Sequence, residues 1–291
     1  MRVPLVRGAR WAAAAACLSA IALGGLAGCD AGRAASDPGD LGRPASARVE
    51  GTVRVLQLNL CNSGRADCYS EGRAISLASV LIRQYEPDVV SLNEVCRDDL
   101  DVLRRAMAAA SPTTSPASAF GRVDDRDTQR PVRCRNGQDF GDGVLVATSP
   151  SAAIRIYSGA NPVQNPRDPE QRAWACIDVA SRFTACTTHS TSANASVALQ
   201  QCSHLLATVI PGLGRPDSLG PVILGADLNL PARGSTSPDA CLPSGYRRVD
   251  DGGLQDVVVS PGIGVRSHSV IDMQGTTDHP GLLVEVALAQ Q

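Results

Sequence analysis

Two histidines and several acidic or amide side chains stand beside short apolar segments of this sequence. Asp227 and Asn229 follow VILGA, His189 follows FTACTT, and Asp278 and His279 precede the last apolar segment. Imidazole groups carry protons near neutral pH, and carboxylate oxygens bind divalent cations such as Mg²⁺. These residue types can therefore move protons and hold a divalent cation at one catalytic site.

The apolar segments have the lengths and patterns of β-strands. Residues 52–60 alternate apolar and polar side chains, and residues 221–226 form a short apolar run. Asn59 and Glu94 stand at the ends of two such segments. Because strand interiors bury apolar groups, we expect the polar residues to gather at the strand ends as one catalytic platform.

Strands outnumber helices in the whole pattern. Apolar residues at helical spacing predict helices over 71–85, 98–110 and 194–210, and the polar stretch 111–141 predicts a long loop. Several strand pairs lack an intervening helix, which favours a mixed α/β sandwich over a doubly wound sheet. The predicted strands cover residues 52–60, 88–93, 143–148, 153–158, 173–179, 183–188, 221–226, 254–260, 265–270 and 281–288.

Five motifs then occur in order, each at the end of a predicted strand or, for the last, just before one. They are LQLNL around Asn59, VVSLNEV around Glu94, TTHS around His189, GADLN around Asp227 and TTDHP around His279. The series resembles the endonuclease/exonuclease/phosphatase superfamily over about residues 53–287. Ala226, Leu228 and Thr277 depart from the residues usual in that family.

The resemblance implies a fold and an activity. The fold is a DNase-like, four-layer α/β sandwich, in which two packed mixed β-sheets are flanked by helices. The activity is hydrolysis of phosphoesters with Mg²⁺ or Mn²⁺. The barrier to this reaction comes mostly from the negative charge that develops in the transition state. Metal ions and positioned proton carriers therefore lower it.

Roles for single residues follow from the same resemblance. Glu94 and Asn59 would bind the metal directly. Asp278 would act indirectly, by holding groups that contact the metal. His279 would orient or deprotonate the attacking water, while His189 would stabilise the transition state or protonate the leaving oxygen.

Four further residues complete this predicted site. Asp227 and Asn229 would place the water and the phosphate. Arg172, in QRAWACIDV, resembles the family's phosphate-contacting arginine. Asp256, in GLQDVVVS, resembles the aspartate that supports the last histidine.

Each of these residues also has an ordinary structural explanation as a turn former, helix start or surface side chain. Asp142 stays open between two roles, because it opens the segment GVLVATS. It can pair with His189 in the site, or it can form a turn.

The amino terminus predicts export. Residues 1–28 combine a basic start, a short apolar run and small residues before Cys29, as signal peptides do. The ending resembles a bacterial lipobox with Cys29 as the lipidated residue; the alternative is an ordinary signal peptide. Residues 29–50 predict a flexible tether, and residues 51–291 predict one large domain.

The charge of the chain excludes a general attraction to nucleic acid. The formal charge is −2, and losing three arginines with residues 1–28 makes it about −5. A local basic patch remains possible in the loop GRVDDRDTQRPVRCRNG, which contains Arg130 and Arg133. Those arginines either grip substrate phosphates or are simply solvated.

An even set of cysteines in an exported chain predicts four disulfides. Cys61 and Cys68 bracket a short loop, and Cys176 and Cys186 lie symmetrically about the centre of a predicted hairpin. The remaining four are then assigned as Cys96–Cys134 and Cys202–Cys241, although eight cysteines allow many pairings. A zinc site is the alternative, but the spacing does not favour it.

The sequence ranks three substrate classes for a monomeric enzyme. A DNase-like nuclease acting on nucleic acid comes first, and a phosphatase of inositol phosphates, sugar phosphates or lipid headgroups comes second. A sphingomyelinase comes third, because an exposed aromatic hairpin is missing from the pattern. An inactive binding protein on the same fold is least favoured, since every expected residue type is present.

Overall fold

The computed structural model describes residues 51–180, 182–214 and 219–289. The predicted signal segment 1–28, the tether 29–50 and Cys29 lie outside the described residues. No helix among the described residues is long and apolar enough to span a membrane.

The described chain forms two six-stranded sheets and three α-helices. The strands are β1 (Thr52–Asn59), β2 (Val89–Cys96), β3 (Ala117–Arg122), β4 (Phe140–Val146), β5 (Ile154–Ala160), β6 (Ala173–Val179), β7 (Phe183–His189), β8 (Val222–Asp227), β9 (Arg247–Asp250), β10 (Gln255–Val259), β11 (Ile263–Ile271) and β12 (Gly281–Leu288). The helices are α1 (Arg73–Tyr85), α2 (Asp99–Ala110) and α3 (Ala195–His204), and a π-helical turn, Leu205–Val209, continues α3.

Each sheet contains one parallel pair of strands. The first sheet has the order β11-β12-β1-β2-β4-β3, and the second has β5-β6-β7-β8-β10-β9. In the first sheet β1 and β2 are parallel and α1 connects them; in the second, β7 and β8 are parallel and α3 connects them. The other described pairs are antiparallel.

Apolar layers hold the sheets and helices together. Val53 and Val55 of the first sheet pack against Ile177 and Phe183 of the second. The outer face of the first sheet packs on α1 and α2, and the outer face of the second packs on α3. Burying these layers from water is the main stabilising contribution to such a fold. The predicted four-layer α/β sandwich is therefore confirmed.

The helix α1 follows from its apolar spacing. Ile75, Ala78, Leu81 and Ile82 are all buried, at intervals of three, three and one residues. These positions form one face of a helix, which packs on the first sheet. The helix ends at Glu86, which has a left-handed backbone conformation.

The predicted loop 111–141 is wrong in part. It contains β3, and β4 begins at Phe140 instead of residue 143. Four of the six residues of β3 are small, so they give little strand signal. Gly121 must be small, because an added Cβ would lie 2.8 Å from the backbone oxygen of Trp174. The polar edge strand β9, Arg247–Asp250, was also not predicted.

The four disulfides pair as the sequence predicted. The Cα–Cα distances are 6.0 Å for Cys61–Cys68, 6.1 Å for Cys96–Cys134, 4.1 Å for Cys176–Cys186 and 5.8 Å for Cys202–Cys241. Cys176 and Cys186 face each other across β6 and β7. All eight sulfur atoms are used, so no thiol among them is left for zinc.

Candidate active site

The polar ends of several inner strand faces meet at one edge of the sandwich, which we call the mouth. On β1, Val53 and Val55 lie in the central apolar layer, and Gln57 and Asn59 follow on the same face. Alternation along a strand therefore puts apolar groups in the core and polar groups at the mouth. On the other inner strand faces, the same change from apolar to polar residues brings polar side chains to the mouth. They are Asn93 of β2, Asp142 of β4, His189 of β7, Asp227 of β8 and Gln255 of β10.

Glu94 reaches the mouth through an irregularity in β2. The register between β2 and β4 shifts between Leu92 and Val95, and Glu94 has a φ of 56°. Such a bulge re-aims a side chain that strict alternation would send to the other face. Nδ2 of Asn59 donates to Oε1 of Glu94 at 2.8 Å.

Asn59 connects two carboxylates at the mouth. Its Nδ2 also donates to Oδ2 of Asp227 at 3.1 Å, and its Oδ1 accepts from the backbone N–H of Cys61 at 3.1 Å. Because a backbone N–H can only donate, this contact fixes the direction of the amide. In this arrangement Asn59 donates to Glu94 and Asp227 and positions both carboxylates. Its role as a metal ligand stays a prediction.

Asp227 lies fully buried at the centre of the mouth. Oδ2 accepts from Nε2 of Gln255 at 2.7 Å, and Oδ1 accepts from the backbone N–H of Asn229 at 3.0 Å. Asn229 has a φ of 52° and donates from Nδ2 to the oxygen of Ser190 at 2.8 Å, which ties the ends of β7 and β8 together. The structure therefore brings these two predicted residues together.

His279 lies against Asp227 and Gln255. Its Nε2 is 3.6 Å from Oδ2 of Asp227 and 3.7 Å from Oδ1 of Asp278. Its Nδ1 is 3.4 Å from Nε2 of Gln255. The prediction that Asp256 supports His279 is wrong, because alternation along β10 puts Gln255 on the inner face and Asp256 on the outer face.

Asp256 belongs to a separate ionic cluster. Its Oδ1 accepts from Nη1 of Arg248 at 2.9 Å, and its Oδ2 makes no hydrogen bond within the described residues. Burial raises the pKa of Asp256 to about 8, and the guanidinium of Arg248 opposes that rise. Asp239 and Asp250 also pair with Arg248, at 2.9 and 3.0 Å. This cluster lies on the outer face of the second sheet.

His189 and Arg172 form the opposite side of the mouth. Nη1 of Arg172 is 3.4 Å from Nδ1 of His189, and its Nε donates to Oδ2 of Asp168 at 2.8 Å. The same oxygen of Asp168 accepts from Oγ1 of Thr191 at 2.9 Å. Arg172 is only 8% exposed. The guanidinium is therefore held in place beside His189, as a phosphate-binding arginine requires.

Two acidic side chains near this pair have raised pKa values. Burial raises the pKa of Asp142 to about 6, against the opposing influence of His189, Asn93 and Arg172. Burial also raises the pKa of Glu170. Asp142 accepts from Nδ2 of Asn93 at 3.0 Å, so it lies inside the site rather than in a turn.

The two loop arginines that were predicted to bind substrate, Arg130 and Arg133, differ in their surroundings. Arg133 pairs with Asp139 at 2.7 Å, and its Nη1 also donates to the oxygen of Gly137 at 3.4 Å. Arg130 is exposed, and its side chain makes no ion pair within the described part of the chain. Arg122 likewise pairs with Asp124, at 2.8 Å. The loop is therefore largely neutralised, and Arg130 is its freer cation.

The donor set of the mouth fits a magnesium-type ion better than a caged metal. Among the described residues, one group of three His, Cys or acidic ligand atoms lies within 4.8 Å, and it consists of Cys61, Cys68 and Asp278. A disulfide joins those two sulfur atoms, so this group is no metal site. Mg²⁺ usually takes one or two carboxylates plus water and substrate oxygens. Partly exposed Glu94 offers one such carboxylate, and exposed Asp278 stands beside His279 at the mouth.

Gln57, Asn93 and Gln255 were missed by the sequence reasoning. Their signal was the alternation itself, since Gln255 shares its face with Val257 and Val259 of the central layer. Asp168 was also missed, because it lies on a loop that has no repeating pattern.

Solved structures show where this fold occurs elsewhere. The human Nocturnin catalytic domain is 14% identical with a TM-score of 0.61, and the match covers 82% of this chain and 94% of that one. A mannosyl-6-phosphatase of Bacteroides thetaiotaomicron is 16% identical with a TM-score of 0.55, covering 81% and 100%. D. rerio TDP2, complexed with a single-strand DNA product, is 15% identical with a TM-score of 0.56, covering 81% and 99%. These likenesses show the fold.

Comparison of the sequence with family models identifies the family. No curated protein matches the chain. The model of the Endonuclease/Exonuclease/phosphatase family matches residues 75–279, which include Glu94, His189, Asp227 and His279. The chain therefore belongs to the endonuclease/exonuclease/phosphatase family, whose members hydrolyse phosphoesters.

Proposed function

We propose that the protein is an exported, Mg²⁺- or Mn²⁺-dependent hydrolase that cleaves phosphodiester bonds in nucleic acid and prefers DNA. The observation that carries this proposal is the convergence at the mouth. Glu94, Asp227, His279, His189 and Arg172 come from five different segments, and hydrogen bonds or close contacts link them around one opening.

The two sides of the mouth would divide the work. A bound metal ion, held by Glu94, would supply positive charge to a phosphoryl oxygen. Arg172 would hold a second oxygen through its planar fork. Asp227, Asn229 and His279 would orient the attacking water from the opposite side. Preorganised groups of this kind stabilise the charge that develops during phosphoryl transfer.

His189 would assist the leaving oxygen. Nη1 of Arg172 can only donate, so Nδ1 of His189 accepts from it and Nε2 carries the proton. A protonated Nε2 can donate to an oxygen that gains negative charge as its bond to phosphorus breaks. A neutral imidazole keeps this proton, so of the two roles expected of His189 the contact with Arg172 favours stabilisation of the transition state.

A phosphatase of inositol phosphates, sugar phosphates or lipid headgroups is the second candidate. The observation that favours it is the pairing of Arg122 with Asp124 and of Arg133 with Asp139. Paired arginines attract an extended polyanion less than free ones. Arg130, which makes no ion pair with any described residue, and a structural neighbour solved with a DNA product keep the nuclease first.

A sphingomyelinase is less favoured. Trp174 is 8% exposed, and its indole N–H donates to the oxygen of Ala160 at 3.2 Å. A side chain held in this way does not insert into a lipid surface.

The test is a side-by-side hydrolysis assay with the purified, oxidised protein. Plasmid DNA, RNA, sphingomyelin and a panel of inositol and sugar phosphates would be offered with Mg²⁺ or Mn²⁺, and again with EDTA. Metal-dependent nicking of DNA is the expected result. Phosphate release from a small ester with DNA untouched would select the phosphatase, and inactivity on every substrate would contradict both.

A matched pair of variants makes this assay specific to the mouth. Glu94→Gln removes the proposed metal ligand, and we expect it to abolish metal-dependent cleavage. Glu86→Gln is the control: Glu86 also has a positive φ but follows α1, away from the mouth.

We also propose that the protein is anchored by lipid at Cys29 and works as a monomer outside the cell. The four disulfides support export, because such bonds persist in oxidising compartments. In cells fed a labelled fatty acid, the protein should take up label and Cys29→Ser should not. Unlabelled membrane-free protein would favour the ordinary signal peptide.

A further inference from the structure

Three buried amide side chains form a continuous hydrogen-bonded chain between the two sheets. Nε2 of Gln57 donates to Oδ1 of Asn93 at 2.7 Å and to Oε1 of Gln255 at 2.9 Å. Nε2 of Gln255 then donates to Oδ2 of Asp227 at 2.7 Å and faces Nδ1 of His279 at 3.4 Å. All three amides are fully buried. We call this set, Asn93, Gln57 and Gln255, the amide chain.

The backbone fixes the direction of the amide chain at its first member. Oδ1 of Asn93 accepts from the backbone N–H of Asp227 at 2.9 Å, and Nδ2 donates to the backbone oxygen of Thr188 at 2.9 Å. A backbone N–H cannot accept and a backbone oxygen cannot donate, so Asn93 has one possible orientation.

Each member of the amide chain then orients the next one, as far as His279. Gln57 must present N–H to the oxygen of Asn93, although its own Oε1 is then buried and makes no hydrogen bond among the described residues. A buried unpaired oxygen is costly, so the direction is imposed by the neighbours of Gln57 and not by its own preference. Gln255 therefore offers oxygen to Gln57 and N–H to Asp227 and His279.

The surroundings of His279 agree with this direction on both sides of its ring. Nδ1 faces an N–H donor, while Nε2 lies 3.6 Å from Oδ2 of Asp227 and 3.7 Å from Oδ1 of Asp278. A donor on one side and carboxylate acceptors on the other select the neutral tautomer with its proton on Nε2.

We propose that Gln255 is a positioning residue, which the amide chain orients so that it fixes His279 as a hydrogen-bond donor through Nε2. Resting on the proposed function, this inference gives His279 the task of donating to the water or the phosphate and not of accepting the proton of water. Gln57 and Asn93 act on the reaction only through Gln255 and Asp227.

The test uses nuclear magnetic resonance of protein labelled with ¹⁵N in its histidine rings. The chain has four histidines, so the signals of His279 are assigned by their loss in His279→Ala. In wild type at a pH where the ring is neutral, we expect Nδ1 without a proton and Nε2 with one. No substrate is needed, so the result does not depend on the proposed activity.

Variants separate the amide chain from simple packing. Gln255→Met keeps the length of the side chain but removes its N–H, and Gln57→Met removes the group that orients it. Both variants should shift the ¹⁵N signals of the His279 ring. Both should lower kcat by about 10- to 100-fold and leave KM within about twofold of the wild-type value. If one variant fails to fold, the other still tests the chain.

Ser91→Ala is the matched control. Ser91 is buried in the same layer and donates to the oxygen of Gly225 at 2.9 Å, but it lies outside the amide chain. It should leave the signals of His279 unchanged. A proton on Nδ1 of His279 in the wild type, or unchanged His279 signals in both glutamine variants, would overturn the proposal.

Discussion

The two histidines at the mouth are held at the same distance by different chemistry. Nδ1 of His189 lies 3.4 Å from a guanidinium nitrogen of Arg172, and Nδ1 of His279 lies 3.4 Å from the amide nitrogen of Gln255. An arginine keeps its charge and can only donate, whereas an amide can present either end. The His189 side is therefore fixed locally by Arg172, while the His279 side depends on two further amides.

The difference also concerns charge. Arg172 is neutralised by Asp168 at 2.8 Å and lies 4.0 Å from Glu170, so the His189 side is an ionic cluster. The His279 side places a single buried carboxylate, Asp227, among neutral amide donors. Substitutions on the His189 side should mainly weaken phosphate binding. Substitutions on the His279 side should mainly disturb the orientation of water.

The largest expected effect is on the His279 side. Asp227→Asn keeps the shape of the residue but removes the carboxylate that Asn59, Gln255 and His279 share. We expect kcat to fall by about 1,000-fold or more with KM little changed. Steady-state kinetics on the substrate found in the hydrolysis assay measures this.

Asp178→Asn is the control for that variant. Asp178 is also fully buried in the second sheet, but it accepts from Oγ1 of Thr184 at 3.1 Å, away from the mouth. Its kcat should stay near wild type. A tenfold loss or less in Asp227→Asn would remove Asp227 from the centre of the reaction.

Arg172→Lys should have the next largest effect. Lysine keeps the positive charge but loses the planar fork that contacts both Asp168 and a phosphate oxygen. We expect kcat/KM to fall by about 100-fold, with a rise in KM that Asp227→Asn lacks. Equal kcat and KM patterns in the two variants would show that the two sides do not divide the work.

The stability of the fold should depend on pH through Asp142. Burial raises its pKa from 3.8 to about 6 in the fold, so the folded chain binds this proton more tightly than the unfolded chain. The resulting stabilisation is complete below about pH 4 and is lost as the pH rises through about 6.

Asp142→Asn removes this dependence. Relative to the variant, wild type should gain roughly 1 to 2 kcal/mol of unfolding free energy between about pH 7.5 and about pH 4.5. Urea unfolding of both proteins at the two pH values measures the change. A constant difference between the proteins would show that Asp142 keeps its ordinary pKa in the fold.

The smallest effects belong to the arginine loop. Arg130→Gln should raise KM for DNA by about threefold. It should also reduce the dependence of DNA affinity on salt concentration by the amount expected for about one phosphate contact. Arg133→Gln should change little, because Arg133 already pairs with Asp139. Identical effects of both variants would contradict the distinction between the free and the paired arginine.

The sequence was most informative where a pattern repeats. Alternation and helical spacing predicted the sandwich, most of its strands, and the places of Asp227, His189 and His279. It was least informative where one small or polar residue decides the structure: β3 depends on Gly121, which passes against the backbone of Trp174. Motif matching also selected Asp256 in place of Gln255, because a motif of a few residues does not show which side chain faces inward.

The direction of the amide chain could not be predicted. It depends on contacts between Gln57 and Gln255, which are 198 residues apart in sequence. The placement of Glu94 likewise depends on a bulge that no local pattern marks.

The change from apolar to polar along each inner strand face has an evolutionary consequence. The residues that fold the chain and the residues that carry its chemistry occupy different positions of the same strands, with few shared. Mutations at the mouth can therefore alter substrate choice while the interior continues to specify the sandwich. Neighbours only 14% to 16% identical keep this architecture while one is a sugar phosphatase and another was solved with DNA. The strand ends are then the positions where an exchange changes the site with the least effect on the apolar layers, as at position 255, where Gln255 meets His279.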